Sequence, residues 1–226
     1  MFDPGSKNRL TTHDLPRFTG EGLFDRIARV VCSAECLPRK ELFESWQVAR
    51  HVHRRFRGGG GRLVELCGGH GLLSLVLALM DDSLGEVVCT DSRVPNSAAT
   101  LAAAMQAQWP KLARVRREAC ALDAVALRAG DLVVSVHACG ALTDAVLDRA
   151  LAARARVAVL PCCHVIATSV HGELRGWLEP TLAIDVMRVT RLRHAGYDVR
   201  TRLIDAAITP RNRLLLGAPA AGAPES

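Results

Sequence analysis

Between residues 62 and 160, short runs of β-branched and aliphatic residues alternate with longer stretches of helical composition, and this alternation limits the chain to few architectures. Strand-like runs cover Arg62–Leu66, Glu86–Thr90, Leu132–Val136 and Arg156–Leu160, and a further one falls at Arg114–Glu118. Helical stretches at Leu72–Met80, Ser97–Trp109 and Thr143–Ala153 separate most of them. A strand that crosses over through a helix returns parallel to itself, so the pattern predicts a doubly wound parallel sheet covered by helices. The runs are almost continuously apolar, as strands buried on both faces require. The end of the chain breaks the pattern. Tyr197–Ile204 and Arg213–Gly217 read as strands, yet Asp205–Asn212 between them is too short for a helical crossover, so this pair runs antiparallel. The predicted fold class is α/β: a doubly wound, mostly parallel, seven-stranded sheet with a terminal antiparallel hairpin.

Two helices are predicted ahead of the sheet, over Gly22–Cys32 and Arg39–Phe56. In the second, Leu42, Phe43, Trp46, Ala49 and Val52 recur at three-to-four spacing, which lines one face. Pro38 suits its first turn. The run Gly58-Gly59-Gly60-Gly61 then breaks the chain. The expected organisation is a mobile arm over 1–20, a helical cap over 21–57, the main domain over 58–217 and a disordered Pro/Ala/Gly-rich tail over 218–226.

Apolar residues make up 49% of the chain, enough for a sizeable core and too many for a disordered one. No apolar run reaches the roughly 20 residues that span a bilayer, and Met1–Gly5 lacks the basic-then-apolar pattern of a signal peptide. A soluble, cytoplasmic protein is expected. Among the eight cysteines, Cys67, Cys89, Cys120 and Cys139 lie in or beside apolar runs, where a thiol packs like a small hydrophobe. There is no C-x-x-C pair, and nothing repeats the spacing of Cys32 and Cys36, so no metal site is assigned. The net charge of +6 is carried by arginine, with lysine only at positions 7, 40 and 111. Such a balance attracts phosphate and allows RNA as a partner. Arginine-rich, lysine-poor usage is also what a GC-rich genome produces, and an aromatic content of 4% leaves little for base stacking.

The segment Leu63-Val64-Glu65-Leu66-Cys67-Gly68-Gly69-His70-Gly71 is a strand that runs into a glycine turn and then a helix. Glycines let backbone approach a ligand closely, and the helix N-terminus turns free N–H groups towards it. Glu65 sits at the strand end. The next strand closes in Asp91, about 20 residues on, where a carboxylate accepts hydrogen bonds from ribose hydroxyls. Gly69-His70-Gly71-Leu72-Leu73-Ser74 approaches the dinucleotide pattern G-x-G-x-x-G, but Ser74 replaces the third glycine. Two further segments fall at the ends of neighbouring strands: His137-Ala138-Cys139-Gly140 after the fourth and Pro161-Cys162-Cys163-His164 after the fifth. The carboxyl ends of such strands form the ligand-binding rim, so His137, Cys139, Cys162, Cys163 and His164 are expected to gather there.

The pair His-Ala-Cys-Gly-x-Leu-Thr-Asp and Pro-Cys-Cys-His resembles a class I methyltransferase domain. That domain is found in the acceptor-stem tRNA 2′-O-methyltransferase and in the glutathione S-transferase C-terminal-domain-containing protein. The ending Ile208-Thr209-Pro210-Arg211-Asn212-Arg213 is similar to the second of these, and the resemblance runs from about Arg39 to Gly217. It implies S-adenosyl-L-methionine as cofactor, held by Glu65, Gly69, Gly71, Asp91 and Asp123, and transfer of its methyl group to an oxygen or nitrogen acceptor, RNA among the candidates. Where the family has glycine this chain has Cys67, which leaves a non-catalytic cofactor- or RNA-binding module as the alternative. His137, Cys139, Cys162 and His164 are the candidate catalytic groups. A histidine would act as general base or a cysteine would attack a pyrimidine ring. The group would otherwise bind a metal through sulfur and nitrogen, or merely pack. Arg211 and Asn212, in the connection before the last strand, are candidate substrate contacts or hairpin-turn residues.

Overall fold

The computed structural model describes residues 2–220. Its elements in chain order are α1 (Leu23–Ala34), α2 (Arg39–Phe56), β1 (Leu63–Leu66), α3 (Leu72–Met80), β2 (Val87–Asp91), α4 (Ala98–Gln108), β3 (Val115–Ala119), β4 (Leu132–Ser135), α5 (Ala141–Ala152), β5 (Arg156–Val159), α6 (Pro180–His194), β6 (Tyr197–Leu203) and β7 (Arg213–Pro219). The sheet has seven strands in the order β3-β2-β1-β4-β5-β7-β6. The first five are parallel, β7 runs antiparallel between β5 and β6, and the predicted hairpin is present.

Alternate strand residues feed two cores. Leu63, Val87, Leu132 and Ala158 pack with Leu73, Leu77, Leu101 and the inner faces of α1 and α2. Val64, Val133, Val157 and Leu215 pack on the other side with Val146, Leu147 and Leu192 from α5 and α6. The sheet is therefore the middle of three layers. Reversal of strand order on either side of β1 and β4 opens a crevice at their carboxyl ends, the usual ligand position in such sheets.

The structure departs from the expected organisation at both ends. Residues 2–20, expected as a mobile arm, fold against the two leading helices. Leu10 is fully buried and Phe18 nearly so, and the Leu10 N–H donates to the Leu37 carbonyl at 2.9 Å. The Arg39 guanidinium lies 3.8 Å from the centre of the Phe2 ring. The arm stays down because its few apolar side chains complete the α1–α2 core. At the other end Ala218 and Pro219 belong to β7, and the Ala220 N–H donates to the Gly196 carbonyl at 2.8 Å. The rest of the expected tail lies outside the described residues. Helix α6 has no counterpart among the elements read from sequence. Its inner face buries Asp185 and Arg188 beside Ile184 and Leu192, so apolar spacing does not reveal it. Among the described residues no helix is long and apolar enough to cross a membrane.

Candidate active site

The turn after β1 is shaped by what lies beneath it. Glu65 is 1% exposed; its Oε2 accepts the Ser74 N–H at 3.0 Å and the Ser74 hydroxyl at 2.5 Å. Burial pushes this carboxyl up to about 7, against the lowering effect of the two Ser74 bonds. A side chain at Gly68 would stand 2.4 Å from Cys89 Sγ and 2.9 Å from Glu65 Cδ, so only glycine lets the chain cross there. Gly69 and Gly71 take left-handed φ of 53° and 73°. A Cβ on Gly69 would meet nothing within 4 Å. Cys67, the departure from the family pattern, also holds a left-handed φ of 56°. The backbone thus follows a glycine path with a cysteine in it, at a cost of roughly 1–2 kcal/mol.

Asp91 ends β2 facing this turn. Its Oδ2 accepts the Gly69 N–H at 2.9 Å and its Oδ1 the Arg93 N–H at 2.8 Å, which leaves about two of its four lone-pair sites free. Beside it opens a cavity of about 380 Å³ lined by Cys67, Asp91, Ala121, Leu122, Asp123 and Leu142, among others. That size suits a small-molecule cofactor. Asp91 and Asp123, chosen from sequence, thus share one cavity with Cys67, which opens the glycine turn. Glu65 lies under the turn, sealed by Ser74 and Cys89.

The second half of the rim lies at the ends of β4 and β5. The Gly140 N–H donates to the Cys163 carbonyl at 3.2 Å and ties the two loops together. Cys139 Sγ and Cys162 Sγ stand 3.0 Å apart, and Cys163 joins them. Burial, then the hydrogen bond to Cys139, pushes the Cys162 thiol far above its ordinary range. A thiol held protonated is a poor nucleophile for ring attack. The His137 side chain is 34% exposed, and its Nε2 lies 3.9 Å from Glu41 Oε1. That is an ion-pair distance for a protonated ring and too long for a hydrogen bond. The same Glu41 oxygen lies 3.5 Å from His70 Nδ1, and His70 Nε2 lies 2.9 Å from Ser97 Oγ. Glu41 and His70 were not singled out from sequence. The capping helix α2 brings Glu41 in from outside the sheet, and no local spacing announces that.

The remaining expected groups are placed differently. His164 is not at the rim surface: its side chain is 1% exposed and its Nε2 lies 2.8 Å from Asp185 Oδ1. It positions the loop after β5. Asn212 Nδ2 donates to the Ile204 carbonyl at 2.9 Å and closes the β6–β7 turn. Arg211 is exposed at that turn and donates one N–H to Thr181 Oγ1 at 3.0 Å.

A parallel sheet closed by an antiparallel hairpin, with a glycine turn after β1 and an acid ending β2, is the fold of class I methyltransferases. A methyltransferase domain family model matches residues 43–168, more than half of the chain, and the chain belongs to that family, whose cofactor is S-adenosylmethionine. Among solved structures it is similar to an S-adenosylmethionine-dependent O-methyltransferase from Thermotoga maritima, at 15% identity and a TM-score of 0.52, covering 90% of this chain and 73% of that one. It is also similar to magnesium protoporphyrin IX methyltransferase from Synechocystis PCC 6803, solved with bound S-adenosylhomocysteine, at 14% identity and a TM-score of 0.50, covering 92% and 94%. The ribosomal protein L11 methylase of Lactobacillus delbrueckii subsp. bulgaricus shares 12% identity at a TM-score of 0.50, covering 77% of each chain. No curated protein matches the chain.

Proposed function

We propose that this chain transfers a methyl group from S-adenosylmethionine to an oxygen or nitrogen atom of an acceptor that enters between His137 and the loop after β5, and that the acceptor belongs to RNA. One observation carries the catalytic reading: the cofactor-sized cavity at Asp91 and the His137–Cys139–Cys162 group occupy adjoining strand ends of one rim. The cavity and the open space over Gly69 fit the cofactor. The backbone of Gly69 and Gly71 would hold its methionine end, Asp91 its ribose and Asp123 its adenine. Bound there, the cofactor supplies a methyl group made electrophilic by a sulfonium. His137 takes the acceptor proton, and Glu41, 3.9 Å away, balances the charge the imidazole gains. Arg211 sits at the edge of the same rim, where it can meet an acceptor phosphate. The left-handed backbone at Cys67 keeps the glycine path despite the cysteine, which supports the catalytic reading over a non-catalytic module.

The cofactor assignment has a direct test. Gly69→Arg puts a long side chain into the open space over the turn while touching no protein atom at its Cβ. Calorimetry is expected to show S-adenosylhomocysteine binding to the wild-type protein and a loss of at least tenfold in the variant, with melting lowered by only a few degrees for the left-handed φ that arginine must adopt there. Tight NAD binding by the wild type, with none of the homocysteine compound, overturns the assignment.

RNA as acceptor rests on charge. Arg50 and Arg54 of α2 and Arg202 of β6 are exposed, and burial, followed by the charges of these three arginines, lowers the pKa of His51 beside them. Binding to tRNA is expected to weaken steeply with salt, because each phosphate contact releases counterions. Incubation with methyl-labelled cofactor and separate RNA, protein and metabolite fractions should place the label in RNA. Salt-independent weak binding, or label in another fraction, assigns a different acceptor and leaves the methyltransferase reading standing.

A further inference from the structure

We propose that Cys139, Cys162 and Cys163 form a three-thiolate site for a zinc-class divalent cation, with its fourth coordination position open at the rim. The sulfurs of these residues all lie within 4.8 Å of one another. Thiolates bound to one zinc ion at about 2.3 Å in a tetrahedral arrangement stand about 3.8 Å apart, so movements of an ångström or less turn the cluster into a tripod.

Two chain segments build the site, and both are held. Cys139 follows β4, which pairs with β5 up to Ser135 and Val159. The Leu160 N–H donates to the Ser135 carbonyl at 3.0 Å, and the Gly140 N–H to the Cys163 carbonyl at 3.2 Å. On the far side, His164 is anchored on Asp185. The loops are therefore joined at two points before any ion binds, which lowers the ordering cost of coordination. A disulfide would use two of the three sulfurs and leave the third without a partner, whereas a cation uses all three. Soft thiolates select zinc-class or cuprous ions over magnesium or calcium. Cys139 and Cys163 are exposed, so an ion enters from solvent and keeps a water in its fourth position, the arrangement of catalytic rather than structural zinc. Linear spacing hides such a site, because the ligands come from two strand ends rather than one motif.

Cobalt(II) is the probe. The reduced full-length protein is expected to take up one equivalent and to show intense visible bands of tetrahedral cobalt with thiolate charge transfer in the near ultraviolet. Zinc should abolish both, and azide should shift the visible bands through the open position. Cys139→Ser and Cys163→Ser alter exposed residues and should fold; each is expected to weaken cobalt binding at least tenfold, with Cys162→Ser at least as severe. Cys120→Ser should leave it unchanged. Absence of tetrahedral bands, or bands indifferent to all three substitutions, overturns the proposal. So does formation of a Cys139–Cys162 disulfide under mild peroxide that saturating zinc fails to prevent. S-adenosylhomocysteine binding in the same samples tests the methyltransferase reading separately, since neither result depends on the other.

Discussion

Replacement of His137 by alanine is expected to lower methyl transfer on the order of 10²–10⁴-fold, the usual worth of a general base, while S-adenosylhomocysteine affinity stays within about threefold of wild type. The split follows from position. His137 follows β4 and faces Glu41 of the capping helix, whereas the cofactor cavity is lined mainly from the ends of β1, β2 and β3, with Leu142 of α5 at its edge and His137 outside its lining. An acceptor hydroxyl or amino group must lose a proton as the new bond forms, and among the rim side chains His137 is about one-third exposed and backed by a carboxylate. Glu41→Gln is expected to give a smaller loss in the same parameter, because Glu41 acts through the imidazole. Single-turnover kinetics beside calorimetry on each variant makes the measurement. A loss of only a few fold would reduce His137 to positioning, and a parallel fall in cofactor affinity would place it on the cofactor instead.

Much of the fold could be read before the structure, because apolar periodicity is a local property. Helices α2 and α3 fall at Arg39–Phe56 and Leu72–Met80, as the spacing predicts, and the terminal hairpin follows from the length of Asp205–Asn212 alone. What failed depends on distant partners. The first 20 residues look unstructured because Phe2, Leu10, Leu15 and Phe18 follow no helical or strand period, yet Leu10 and Phe18 find buried places in a core built by other segments. Helix α6 is hidden because its buried side carries an ion network. The site divides in the same way. Asp91 and Gly69 announce themselves through a strand–turn–helix grammar, and they are hydrogen-bonded to each other. Glu41 does not, because its relation to His137 and His70 is made only when α2 packs over the rim. The cysteines were each visible, but their closeness is a property of two neighbouring strand ends.

The largest structural effect is expected at Asp185, whose replacement by alanine should cost about 3–5 kcal/mol, the usual penalty for stripping one partner from a buried charge network. Asp185 Oδ1 accepts from His164 Nε2 at 2.8 Å and from Arg188 Nη1 at 3.1 Å, and Oδ2 accepts from Arg213 Nε at 2.7 Å. Arg188 is 2% exposed and keeps only its fork on Asp144, at 3.0 and 2.7 Å, once Asp185 is gone. Burial alone would raise the Asp185 pKa, but the hydrogen bonds from His164 and Arg213, with their charges, prevail and hold it below the ordinary value. A carboxyl lowered on folding stabilises the fold above its unfolded pKa, near 3.9, and that contribution fades as pH falls through the folded value. The wild type should therefore lose this contribution below about pH 4, and Asp185→Ala should lose less over the same window because the responding group is absent. Asp185→Asn keeps one acceptor and should fall between the two, which keeps the test open if the alanine variant does not fold. Denaturant unfolding at neutral and acidic pH checks both parts. A loss under about 1 kcal/mol at neutral pH would mean that water replaces the carboxylate and that the network does not hold the loop. If the full loss is seen, methyl transfer should fall with it at temperatures where the variant is still folded, because His164 then no longer fixes the segment that presents Cys162 and Cys163 at the rim.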